Sequence, residues 1–160
     1  MSNDRALNTN YSLKQVGEFG VDGDSIRISD MSMFFDEFIE MELPSGRYIV
    51  TQVSTVAGKF MGYAVCGDLH SRPTRSLGQI SIPFGQLGVF NTEIARNFLN
   101  AIDSVDYDSQ YLATLVEPCE IVVDNHQIAF CLRCSGGLVT VYELMTAAHV
   151  SGVMLRYVLE

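Results

Sequence analysis

Apolar and polar residues alternate along this chain at two different spacings. The shorter is residue by residue, the period of a strand with one buried face. Ser25-Ile26-Arg27-Ile28-Ser29 and Gln79-Ile80-Ser81-Ile82 carry it most cleanly. Other runs are rich in β-branched and aromatic residues, which fit a pleated, half-buried surface. These are Tyr48–Val53, Lys59–Cys66, Tyr111–Val116, Cys119–Val123, Ile128–Arg133, Leu138–Leu144 and Val150–Leu159. Turn residues separate the runs: Asp22-Gly23, Pro44-Ser45-Gly46, Ala57-Gly58, Asp124-Asn125-His126 and Ser135-Gly136-Gly137. The longer spacing occurs once. Ile94, Phe98, Leu99 and Ile102 form an apolar stripe behind Asn91 and Thr92, residues suited to open a helix. The pattern predicts a helix near 92–102. Asp103, Asp106 and Asp108 follow, where the helix dipole disfavours anions, so the helix should stop at Ile102.

Two stretches are less regular. Residues 31–37 read as a short helical or irregular piece, followed by a strand at 38–43. Gly67 to Gly78, with Pro73 inside it, reads as a polar loop. The expected fold is mainly β (α+β): a β-sandwich or strongly curved antiparallel sheet, with one helix packed across it. Residues 1–10 are expected to be a flexible N-terminus and 11–160 a single β-rich domain. The expected core includes Ile49, Val53, Tyr63, Val65, Ile82, Phe98, Val122, Phe130, Val141 and Leu155.

Composition narrows the function. The chain has 160 residues, 48% apolar and 18% charged, which excludes an acidic tail too polar to bury a core. Its formal charge of −9 argues against sequence-independent nucleic-acid binding, which needs cations to displace phosphate counterions. Met1 to Asn10 lacks an apolar secretory core, and no stretch approaches the roughly 18 apolar residues of a membrane helix. A cytoplasmic protein with reduced cysteines is expected.

The candidate chemistry is sparse. Cys131-Leu132-Arg133-Cys134 is a CxxC, and Cys66 lies four residues before His70. Zinc wants four such ligands around one point, and no second CxxC is present. His70, His126 and His149 stand apart in sequence, without a hydrolase or metalloprotease motif. No cofactor, metal or catalytic residue is expected. Gly46, Gly85, Gly88, Gly136 and Gly137 read as structural, with Gly85 and Gly88 serving close backbone packing. The acidic residues fall into two clusters. Asp36, Glu37, Glu40 and Glu42 form one; Asp103, Asp106 and Asp108 form the other. Either the clusters are solvated surface, or they form a recognition face for a basic partner.

Four segments, Leu43–Val50, Gly58–Val65, Phe84–Asn91 and Gly136–Tyr142, resemble in order a family of small bacterial β-rich domains of unknown function. Members of that family lie near toxin–immunity and phage genes. Its pattern has a Gly-x-Tyr strand, an Asp-Ser-Gly-Gln-x-Gly segment and a C-terminal Gly-Asp-Gly-x-Tyr hairpin. Here Pro83-Phe84 replaces the Asp-Ser, and no Asp separates Gly136 from Gly137. The resemblance therefore implies the glycine and β framework rather than an activity. The expected function is a non-enzymatic acidic protein that inhibits or neutralises a protein partner, of the immunity or phage counter-defence kind. That partner would present a basic surface, with no direct nucleic acid or membrane contact. A small-ligand-binding or hydrolytic β domain is one alternative. A structural or assembly subunit, with Phe34, Phe35 and Phe38 as a self-association face, is another.

Overall fold

The computed structural model describes residues 6–113, 115–116, 118–133 and 136–158. The fold is mainly β. Among the described residues, eleven strands form two antiparallel sheets. The chain divides into two compact units.

The first unit comprises Met1–Phe19, Arg47–Ile80 and Leu138–Glu160. A short helix α1 (Leu7–Asn10) precedes β1 (Ser12–Val21). Strands β4 (Gly46–Ser54), β5 (Phe60–Cys66), β6 (Arg72–Ser81), β10 (Leu138–Thr146) and β11 (His149–Tyr157) complete a six-stranded sheet. Its order is β1-β4-β5-β11-β10-β6. Leu7, Val53, Ala64, Cys66, Leu144 and Met154 form one core cluster, flanked by Tyr11, Leu13, Leu69 and Tyr142. Leu7 is an exception to the frayed N-terminus: it is fully buried, and its N–H donates to the Ser71 carbonyl at 2.9 Å. Buried Ser71 also links Thr146 and Ser151 through hydroxyl hydrogen bonds of 2.9 and 2.6 Å.

The polar loop expected at 67–78 is corrected by the structure. Most of it is β6, a ten-residue strand. β6 lies at the sheet edge, so one side needs no partner and Pro73 is tolerated. An exposed edge strand also lacks the apolar alternation that marks a half-buried one.

The second unit comprises Gly20–Gly46 and Ser81–Gly137. Strands β2 (Ser25–Asp30), β3 (Phe38–Glu42), β7 (Gln86–Asn91), β8 (Cys119–Val123) and β9 (His126–Arg133) form a five-stranded sheet of order β3-β2-β7-β9-β8. Helix α2 (Thr92–Ala101) packs on β2, β7 and β9. Its stripe of Ile94, Phe98 and Leu99, with Ile102 at the cap, meets a core of Met31, Phe34, Phe90, Ala95, Tyr107, Ile121, Ile128 and Ala129. The β8–β9 hairpin turns at Asp124 and Asn125, both at positive φ, as the Asp-Asn pair predicts.

Four further expectations change. Tyr111–Val116 is not a strand. Helix α3 (Ser104–Tyr107) runs into a π-helical turn (Asp108–Leu112), closed by Ala113 N–H donating to Asp108 O at 2.8 Å. Leu112 is buried there by helical rather than alternating geometry. Val122 is exposed, because Ile121 takes the inward parity of β8. Ile49 and Phe98 are half-buried rather than core, whereas Val53, Tyr63, Val65, Ile82, Phe130, Val141 and Leu155 are buried. Phe34 is buried, so it does not join Phe35 and Phe38 on the surface.

Candidate functional site

Strand β2 looked half-buried from its alternation, yet it is covered on both sides. The cover on its polar side is the segment 31–40, and Arg27 is what fastens it. Arg27 pairs with Glu40 directly across the β2–β3 ladder. Its Nη2 and Nε donate to Glu40 Oε1 at 2.8 and 3.1 Å, and its Nη1 donates to the Phe34 carbonyl at 3.0 Å. The guanidinium carbon sits 4.5 Å from the Phe34 ring centre and 3.7 Å from that of Phe38. A planar, weakly hydrated cation suits this place between two rings, where an ammonium would lose most of its donors.

Two more polar anchors hold the same segment. Asp30 is fully buried; one carboxylate oxygen accepts from Ser32 N–H at 2.9 Å and the other from Phe84 N–H at 2.8 Å. The Tyr107 hydroxyl donates to the Met31 carbonyl at 2.9 Å. Burial raises the Tyr107 pKa far above the ordinary value, and Cys131, Asp108 and Asp30 add to the rise, so the phenol stays a donor.

Between segment 31–36 and the end of α2 lies a groove of about 140 Å³. Met31, Phe34, Phe35, Leu99, Ile102 and Tyr107 line it, with Ser32, Asp36 and Ser104 at its polar edge. Phe35 is half exposed there and stacks edge-on against Phe34, ring centres 4.9 Å apart.

Of the two acidic clusters only Asp36 lines the groove, and their members do different things. Asp36 is exposed and lines the groove. Glu37 accepts from the Ser81 N–H, and Glu40 serves Arg27, with Arg96 Nη2 3.9 Å away. Glu42 is exposed on β3, opposite Ser25. Asp103 follows groove residue Ile102 and caps α3, its Oδ1 accepting from Val105 N–H at 2.8 Å. A carboxylate that is unfavourable at the end of one helix is thus favourable at the start of the next. Asp106 lies exposed in the first turn of α3, and Asp108 opens the π-helical turn. Asp36 is therefore a rim charge and Asp106 an exposed charge on α3, whereas Glu37 and Glu40 are internal ties.

The other singled-out residues lie elsewhere. Gly46 begins β4, Gly85 sits in a turn after Ile82, and Gly136 and Gly137 precede β10. Gly88, in mid-β7, is the one in close packing: a side chain there would run into Met31 and Phe90. Cys134 lies outside the described residues. Cys66 is buried in β5, where burial pushes its thiol up to about 11 and keeps it a poor nucleophile. His126 Nδ1 lies 3.6 Å from Asp22 Oδ2, both exposed. Among the described residues, no group of three His, Cys, Asp or Glu side chains is placed to hold a metal ion. No helix there is long and apolar enough to cross a membrane.

Sequence reasoning passed over Arg27, Asp30 and Tyr107 and gave Asn91 a different part. A lone Arg between isoleucines in a strand is a usable signal. Asn91 or Thr92 was expected to cap α2; Asn91 takes the N-cap position, but its side chain makes no capping bond. Instead its Nδ2 donates to Gly20 O and Gln127 O at 2.8 and 2.7 Å, and its Oδ1 accepts from Asp22 N–H at 2.9 Å. Compared with protein-family models, curated proteins and solved structures, the chain matches none of them.

Proposed function

We propose that this chain is a non-enzymatic interaction protein that binds a basic protein partner through the groove of the second unit and blocks it, in the manner of immunity or phage counter-defence proteins. One observation carries the reading: an apolar slot walled by Phe35, Leu99 and Ile102 has the exposed carboxylate of Asp36 in its lining, and exposed Asp106 follows in the chain between lining residues Ser104 and Tyr107. Such a slot suits a segment with an apolar anchor and flanking Lys or Arg. The anchor supplies affinity, and the charges speed encounter and exclude acidic competitors.

The test uses a synthetic amphipathic peptide with lysines on one face and leucines on the other, followed by fluorescence anisotropy. Saturable binding is expected. Asp36→Lys with Asp106→Lys weakens it at low salt, and the difference shrinks as salt rises. Phe35→Ser weakens it at every salt concentration. Equal binding of a lysine–serine peptide, or unchanged affinity in both variants, overturns the reading.

A second reading, a small-ligand-binding domain, rests on a recess of about 350 Å³ in the first unit. Gln79, Thr140, Tyr142, Arg156 and Tyr157 line it, and Gln79 Nε2 donates to Thr140 Oγ1 at 3.1 Å. Saturable binding of inorganic phosphate that Arg156→Gln abolishes would favour this reading over the first.

A further inference from the structure

The CxxC draws attention to Cys131 and Cys134, but the sheet gives Cys131 a different neighbour. In the β8–β9 ladder Cys119 stands directly opposite Cys131. Directly opposed residues of an antiparallel pair have Cα atoms about 4.5–5.5 Å apart. That separation lies within the span a disulfide bridges. Neither cysteine is in a disulfide. Both belong to the core on one face of the second sheet, Cys131 fully buried and Cys119 half-buried beside it. On the other side of Cys131 the ladder partner is Gly88, so no third thiol stands across from it. β8 is an edge strand and Cys119 is its first residue, so small adjustments there disturb no second ladder.

We propose that Cys119 and Cys131 are a thiol–disulfide modification site, oxidised by a small-molecule disulfide of the glutathione type. The Cys119 thiolate, the more accessible of the two, attacks one sulfur of the oxidant. This forms a mixed disulfide and releases one small thiol. Cys131 then attacks Cys119 Sγ, and its proton leaves with the second small thiol. The two cysteines lose two electrons and two protons, and the oxidant gains them as two thiols. The cross-strand bond ties the start of edge strand β8 to the middle of β9. Cys66 makes the contrast inside the same molecule. Its ladder partners are Ile49 and Gly152, so it has no thiol across from it.

The test treats the intact folded protein with oxidised glutathione and reads intact mass and a non-reducing peptide map. The expected product has lost two hydrogens and joins the peptides containing Cys119 and Cys131. A reductant reverses it, and the urea midpoint of the oxidised form is higher. A Cys66→Ala, Cys134→Ala variant forms the same bridge, whereas Cys119→Ser and Cys131→Ser do not. Persistent glutathione adducts, a bridge to Cys134, or no reaction in the folded protein overturns the proposal.

Discussion

In the middle of the six-stranded sheet, β11 passes β5 with Gly152 opposite Cys66 and Gly62 opposite Arg156. In the middle of the five-stranded sheet, β7 ends at Asn91, whose amide reaches Gly20, Asp22 and Gln127. The first unit is thus held at its centre by bare backbone in close approach. A Cβ on Gly152 would overlap the Val65 carbonyl oxygen, and one on Gly62 the Leu155 carbonyl oxygen. The second unit is tied by buried polar side chains that bond to backbone groups: Arg27, Asp30, Asn91 and Tyr107. The two devices fail differently. Close approach tolerates no added atom but is indifferent to charge. A polar tie tolerates some change of shape but not the loss of a donor.

The comparison is broken most sharply at Gly152. Gly152→Ala is expected to cost about 3 kcal/mol or more, since rigid backbone must move. Urea unfolding measures it, and a cost below about 1 kcal/mol would show that the strands can part. Asn91→Ala comes next, at about 2–3 kcal/mol, because three hydrogen bonds to backbone groups are lost at a fully buried position. Asn91→Asp sharpens the point. It keeps the acceptor for Asp22 but turns a carboxylate toward two carbonyl oxygens, so it should be no more stable than the alanine variant. Arg27→Met is expected to cost about 2 kcal/mol, from the lost charged hydrogen bonds and ring stacking. Amide hydrogen exchange in residues 31–40 should quicken more than elsewhere in the second unit. Arg27→Lys should recover only part of this, since an ammonium cannot fork between Glu40 and the Phe34 carbonyl.

The smallest effect is a slope. Burial holds the Cys66 thiol protonated up to about 11, against an ordinary value of 9.0. An acid whose pKa is raised by folding gives its full stabilisation below the unfolded value. Stability is then lost as pH climbs from 9.0 toward about 11, by up to about 1.4 kcal/mol per pH unit. Cys66→Ala should flatten that part of the stability profile, whatever it does to stability at neutral pH.

Helix α2 was legible because its stripe repeats at one face's spacing, and the 124–125 turn because Asp and Asn tolerate positive φ. β6 was not legible: an edge strand with much of its length in solvent needs no alternation. The groove was half legible. The acidic runs are contiguous in sequence, but the carboxylates that tie the fold differ from the one left at the rim only through partners far along the chain. Glu37 meets Ser81, 44 residues away. Asn91 meets Gly20 at a separation of 71. No local pattern encodes such pairs, because the intervening chain must fold before either residue has a partner.

Pro73 has a consequence for how these molecules meet in concentrated solution. An outermost strand offers a row of unpaired amides to any other extended chain. On β6 Pro73 has no N–H to give. Arg72 and Arg75 flank it, and Arg75 is tied to Glu143 on the adjoining strand at 3.2 Å. A second copy approaching this edge meets a proline and the side chains of Arg72 and Arg75. Growth of the sheet from molecule to molecule is thereby discouraged at β6, and replacing Pro73 and Arg75 with valine would open that edge to fibre-like stacking.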